Sequence, residues 1–244
     1  MISKQTLSSL KRDIVVLWFQ LLKKQTYQLN GVDIHLDRAL MSRQVIDAIL
    51  RKTYEQPEYN SIKKNLSKSD VVLEMGTGIG YISLQCARIV GEKNVYTFEP
   101  SPTTAELALK NFELNNARIN LSQKVLGPEK GKSTFYSCHN FESSSLSKRD
   151  GVAREIEVEC EDVNEVMKEI RPTFLVMDIE GGEAELIPKT NLSDIKKISM
   201  EIHPHVIGDD AVNSTVLHIL NEGFVIDWAS SAKKVLFFYR PEKH

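Results

Sequence analysis

The sequence predicts an α/β fold: a seven-stranded, mostly parallel sheet with helices on both faces, preceded by an N-terminal helix and hairpin extension. Three observations predict it. From Asp70 onward short apolar runs alternate with segments of helical period, the first run opens into the glycine-rich turn Glu74-Met75-Gly76-Thr77-Gly78-Ile79-Gly80, and the second closes on Glu99. That alternation lays helices over both faces of a parallel sheet.

The elements follow in order. Leu7, Leu10, Ile14, Leu17 and Leu21 recur at helical spacing and predict an amphipathic helix that packs on the main domain or on a second subunit, giving a homo-oligomer. The apolar run 14–22 falls short of the roughly 20 residues that a bilayer crossing needs. Lys23-Lys24-Gln25 then stands where a signal peptide would carry small residues. Two short apolar-alternating runs flank Asn30-Gly31, a pair that tolerates the positive φ of a tight hairpin turn. Ser42 caps a helix whose apolar positions are Val45, Ile46, Ile49 and Leu50, and Pro57 ends or resets it. Residues 1–68 are thus an extension, and 69–244 the main domain. The seven strands are expected at 71–73, 95–98, 119–125, 174–177, 198–202, 224–228 and 235–239, with a helix from Tyr81 and another, capped by Asp162, from Val163. The serine-rich stretch 142–147 is expected to be a loop, either solvated or a lid.

Charge narrows the partners. Thirty-one basic against thirty-three acidic side chains leave a net charge of −2, so no global field draws the chain to nucleic acid. The lysines Lys4, Lys11, Lys23 and Lys24 are scattered, which supports a nucleic-acid surface only weakly. Cys86, Cys138 and Cys160 are odd in number and widely spaced, against both a disulfide framework and a thiolate zinc site and in keeping with a cytoplasmic protein.

The chemical signal begins at the glycine turn. Glycines at alternate positions leave backbone and helix N-terminus open to a ligand. Glu99, nineteen residues beyond Gly80, ends the second strand where a carboxylate accepts hydrogen bonds from both hydroxyls of a ribose. A dinucleotide site would want its third glycine at Tyr81, and Glu74 is a poor neighbour for pyrophosphate. A carboxylate there suits the ammonium and sulfonium cations of S-adenosylmethionine. Further along, Asp178 and Glu180 end one expected strand, and Glu201 and His203 end another. If those strands are neighbours, the four side chains converge on one cleft, as a histidine base or as an oxygen-rich magnesium site. Plainer roles stand beside these. Asp178 would cap the next helix, Glu183 would favour its dipole, and His203 would be solvated in a turn. Asn111 and Asn115, one helical turn apart, are expected to be structural hydrogen-bonders.

The run 71–80, Phe98-Glu99-Pro100, Asn111 and Asn115, Asp178-Ile179-Glu180-Gly181-Gly182-Glu183 and Glu201-Ile202-His203 together resemble the FkbM family of methyltransferases, as does Tyr54-Glu55 upstream. The resemblance covers residues 50–205. It departs from the family at Glu74, more often Asp there, and at Gly127-Pro128-Glu129, where an acidic or amide residue often follows the glycine. It implies a class I, Rossmann-like methyltransferase fold, S-adenosylmethionine as cofactor, and transfer to a hydroxyl of a small molecule or sugar. The expected cofactor contacts are Glu74, Gly76, Thr77, Gly78, Gly80, Glu99, Pro100 and Ser101. The expected catalytic residues are Asp178, Glu180 and His203, with Asp178, Glu201 and His203 as candidate ligands of a divalent metal such as Mg²⁺. Methylation of RNA or protein, or nucleoside binding without turnover, are the alternatives.

Overall fold

A computed structural model describes residues 25–138 and 152–241. The expected N-terminal amphipathic helix, with any oligomer contact through it, and the serine-rich stretch 142–147 lie outside the described residues. Strands β1 (Thr26–Leu29) and β2 (Val32–His35) form the expected hairpin, with Asn30 at φ 47° and Gly31 at φ 86° in the turn. Helix α1 (Arg43–Leu50) starts at Ser42, whose hydroxyl accepts from the Val45 N–H, and buries Val45, Ile46, Ile49 and Leu50. Helix α2 (Gln56–Asn65) carries Pro57 in its first turn, where the missing N–H costs nothing. None of the helices among the described residues is long and apolar enough to cross a membrane.

The main sheet has seven strands in the order β11-β12-β10-β9-β3-β4-β5. They are β3 (Val72–Met75), β4 (Val95–Phe98), β5 (Asn120–Ser122), β9 (Phe174–Met177), β10 (Lys197–Glu201), β11 (Val225–Ile226) and β12 (Val235–Tyr239). From β5 through β10 all neighbours are parallel, and β12 is antiparallel to both β10 and β11. Helices α3 (Tyr81–Val90), α4 (Pro102–Leu114), α5 (Val163–Ile170) and α8 (Asp209–Asn221) connect the strands. The short helices α6 (Glu183–Leu186) and α7 (Pro204–Ile207) follow β9 and β10. The central strands are mostly apolar because both faces are covered, β9 at every position and β3 at every position but Glu74. Val72, Phe174, Val176 and Phe237 face one core with the hairpin, α1 and α3, while Leu73, Met75, Leu175 and Met177 face the other with α5 and α8.

Two strand assignments change. The single strand expected at 119–125 divides: β5 stays in the main sheet, and β6 (Val125–Gly127) leaves to pair with β8 (Val152–Asp162), which pairs in turn with β7 (Gly131–Cys138). This three-stranded sheet has no counterpart in the sequence reading. Among the described residues Val125, Phe135, Ile156, Val158 and Cys160 form one apolar cluster, while Glu155, Glu157 and Glu159 alternate along β8 on the exposed side. The strand expected at 224–228 is cut short because Asp227 turns the chain, accepting from the Ala229 N–H and the Ser230 hydroxyl; Trp228 is left 72% exposed.

Asn111 and Asn115 tie the hairpin to the sheet. The fully buried Asn111 accepts the His35 N–H at 2.7 Å and donates to the Ile79 carbonyl at 2.8 Å, so one amide joins hairpin, α4 and glycine turn. Asn115 exchanges two hydrogen bonds with the Asp33 backbone. Asn111→Ala strands a buried N–H and a buried C=O, each worth about 1–3 kcal/mol. The variant is expected to lose on the order of 2–5 kcal/mol in urea unfolding, and the more accessible Asn115→Ala clearly less.

Candidate functional site

The strand order reverses between β3 and β9, and ligands of open α/β sheets sit beyond the carboxyl ends of the strands at such a reversal. A cavity of about 310 Å³ opens there. At one end it is lined by Gly76, Gly78, Phe98, Glu99, Pro100, Thr104, Leu126 and Phe135, at the other by Tyr54, Glu55, Asp178, Glu180 and Glu201.

The three glycines serve different needs. At Gly76, φ is 88° and a Cβ would overlap the Asp178 carbonyl oxygen, so the turn lies directly against the exit of β9. Gly80, at φ 79°, is pressed by the Phe112 ring, 2.5 Å from where its Cβ would lie. Gly78 alone matches the expectation that a side chain would intrude on the ligand space; its Cβ would have only Tyr54 and Glu55 near it, across the cavity. Gly80 does not line the cavity. Thr77 is buried and hydrogen-bonded to Thr97, and Ser101 caps α4 by accepting from the Thr104 N–H.

Glu99 stands at the cavity wall, 6% exposed, accepting the Gly78 N–H at 3.1 Å and the Ser101 N–H at 3.0 Å. Burial pushes its pKa up to about 7 against the pull of those donors. Glu74 points away from this cavity into a small neighbouring one shared with Glu58, Thr77 and Ser199, and accepts the Ser83 hydroxyl. Burial raises it to about 7 as well.

At the other end β9 and β10 are parallel neighbours and bring the four expected side chains together. His203 Nε2 lies 3.4 Å from Asp178 Oδ1 and 3.8 Å from both Glu180 Oε2 and Glu201 Oε1. Its other nitrogen, Nδ1, lies 2.8 Å from Glu183 Oε1. His203 is 2% exposed and stands behind the carboxylates, which themselves face the cavity. Burial works to lower its pKa, but the Glu183 hydrogen bond and the charges of Glu183, Glu180 and Glu201 outweigh that and hold it above the usual imidazole range. Asp178 is pushed well above the usual carboxylate range, first by burial and then by Glu201 and Glu180. Its Oδ1 is buried and accepts no hydrogen bond from a described residue. Nor does Asp178 cap a helix, since α6 begins after Gly182 without a side-chain cap. One ligand atom each from Asp178, Glu201 and His203 lie within 4.8 Å of one another, a spacing that a cation could bridge.

Several lining residues escape the sequence reading. Glu58, one turn beyond Glu55 on α2, meets Glu201; burial and that partner push it up to about 8. Its spacing from Glu55 was the available signal. Leu126 and Phe135 come from the unanticipated small sheet, whereas Tyr54, singled out with Glu55 in the sequence, both packs the extension and lines the cavity.

The fold is of the doubly wound α/β class, with its cleft at the topological switch point of the sheet. Residues 74–225 match the methyltransferase FkbM domain, and the chain belongs to that family. Among solved structures it is similar to a precorrin-6y C5,15-methyltransferase from Geobacter metallireducens (12% identity, 85% of this chain and 98% of that one, TM-score 0.48). Others are a methyltransferase from Pyrococcus furiosus (15%, 94% and 98%, 0.48) and a ribosomal protein L11 methylase from Lactobacillus delbrueckii (17%, 83% and 80%, 0.45). A comparison with curated protein sequences gives no match.

The glycine geometry makes a paired forecast. Gly76→Ala combines a strained φ with backbone overlap and is expected to cost roughly 3 kcal/mol or more. Gly78→Ala, with open space before it, is expected to cost about 1 kcal/mol. Urea unfolding midpoints of the two variants check the ranking; equal losses would mean that the turn does not rest on Asp178.

Proposed function

We propose that the chain binds S-adenosylmethionine along the β3–β4 edge of the cavity and transfers its methyl group to a hydroxyl of a small molecule held over the β9–β10 edge. One observation carries this reading: a single cavity runs from Gly78 and Glu99 to Asp178, Glu180 and Glu201 without a wall between. When bound, the cofactor supplies an electrophilic methyl carbon. Glu99 keeps lone pairs for the ribose hydroxyls, Gly78 admits the ligand to the backbone, and Pro100, Leu126 and Phe135 offer an apolar wall to the adenine. Glu74, Thr77, Gly80 and Ser101 shape the turn and the start of α4. Asp178 and Glu180 face the acceptor and take up its hydroxyl proton, with His203 behind them. The described lining at the acceptor end, Tyr54, Glu55, Asp178, Glu180 and Glu201, holds no basic side chain for a phosphate backbone, which favours a neutral or cationic small molecule over RNA.

Cofactor binding is tested by calorimetry with S-adenosylhomocysteine. Glu99→Ala should weaken affinity at least tenfold, since each lost hydrogen bond to a charged acceptor is worth about 1.5–3 kcal/mol. The ligand needs the ionised carboxylate, so protons compete with it. Affinity should therefore fall as pH drops through about 7, and this component should vanish in Glu99→Gln. An unchanged Kd in both variants would place the ribose elsewhere.

A second reading is favoured by the unsatisfied Asp178 Oδ1 beside Glu201 and His203: a divalent cation such as magnesium orients the acceptor hydroxyl. Turnover of hydroxylated sugars and metabolites with labelled donor separates the two. If protein groups alone handle the proton, Asp178→Asn should lower kcat roughly 100-fold and chelator should have no effect. If a metal is required, chelation should abolish turnover and magnesium restore it, with His203→Ala as damaging as Asp178→Asn. Turnover insensitive to chelator and to both substitutions would make the cluster structural.

A further inference from the structure

Glu183 occupies a position that a helix-dipole role does not explain. It opens the four-residue helix α6, where a solvated carboxylate would serve, as the 71%-exposed Glu185 does two residues on. Instead its side chain is only 2% exposed. Taking a carboxylate out of water costs several kcal/mol unless a partner offsets it. Among the described residues the partner is His203 Nδ1, at 2.8 Å from Oε1, while Oε2 is buried without a hydrogen bond. The imidazole is itself 3% exposed and meets Asp178, Glu180 and Glu201 through Nε2 alone, with the His205 ring packed at 5.8 Å.

An imidazole has two nitrogens, and the hydrogen bond made by one sets the tautomer and orientation of the other. We infer that Glu183 is a positioning residue: by accepting the Nδ1–H of His203 it holds the ring so that Nε2 is presented to Asp178 and Glu201 at the sheet edge. The backbone supports the same end. Gly181, at φ 102°, is packed against Val206 and Ile207 of α7, so the turn carrying Glu183 is seated on the helix that follows His203. The inference deepens the proposed function, resting on it for the consequence in turnover but not for the hydrogen bond.

The test uses the full chain labelled with ¹⁵N-histidine, free of cofactor, together with turnover on the acceptor found above. In the wild type the neutral His203 ring should show a protonated, hydrogen-bonded Nδ1 and a bare Nε2. Glu183→Leu should shift it toward the Nε2–H tautomer and lower kcat by about 10–100-fold, the range for loss of an orienting partner, with cofactor Kd unchanged. Glu183→Gln keeps an acceptor for Nδ1–H and should restore the tautomer and most of the kcat. A wild-type ring with bare Nδ1 overturns the inference, and so does a Glu183→Leu ring that keeps its tautomer. If Glu183→Leu does not fold, the wild-type spectrum and Glu183→Gln decide. If His203→Ala turns over normally while Glu183→Leu still changes the tautomer, the positioning contact stands and the catalytic reading of His203 fails.

Discussion

The closeness of Gly76 to the Asp178 carbonyl is the constraint on which the rest of the site depends. The Asp178 N–H donates to Met75 O at 2.9 Å and the Gly76 N–H to Phe98 O at 3.0 Å, so three strand ends are locked together at one residue with no side chain. The distance between Glu99 and Asp178, at the two ends of the cavity, is thereby set by backbone. Backbone hydrogen bonds within a covered parallel sheet are among the stiffest parts of a protein, which suits a reaction that needs donor and acceptor held in line.

Around that joint the chain concentrates acidic groups to a degree that its near-neutral composition conceals. Glu55, Glu58, Glu74, Glu99, Asp178, Glu180, Glu183 and Glu201 lie on or behind the two cavities. Such crowding is tolerable only if protons, donors or a cation offset it. Each device has a place here. Glu99 accepts two backbone N–H groups, Glu74 a serine hydroxyl, and Glu58 rises far enough to stay protonated near neutrality beside Glu201. His203, held above the usual imidazole range, lies between Glu183 and the remaining three.

The extension is part of the site rather than an appendage. Its hairpin is held by Asn111 and Asn115, and its residues share one apolar core with β3, β9 and α3. That packing delivers Tyr54, Glu55 and Glu58 to the two cavities beside Asp178 and Glu201, with Glu55 in the left-handed region at φ 43° as the chain turns into α2. The Tyr54 and Tyr81 rings, 6.0 Å apart, join this turn to the start of the helix behind the glycines.

What was legible in the sequence follows from local rules. Strands 95–98, 174–177 and 235–239 stand where the apolar runs stand because a strand covered on both faces is mostly apolar along its length. Asn-Gly, Ser42 and Asp162 mark turn and caps because their side chains or φ preferences act within four residues. Glu99 and Asp178 were readable for a similar reason, being polar groups at the ends of buried strands. Tertiary structure alone decided the rest. The small sheet β6–β8 buries one modest apolar face, so its alternating glutamates resemble a solvated segment until Phe135 is seen at the cavity wall. Glu183 reads as a dipole partner until β9 and β10 bring His203 against it from twenty residues away. Gly76 looks like a gap left for a ligand, yet the strand that requires it lies a hundred residues downstream. In each case the deciding contact joins distant parts of the chain, and periodicity, caps and composition hold no record of which distant groups the fold makes neighbours.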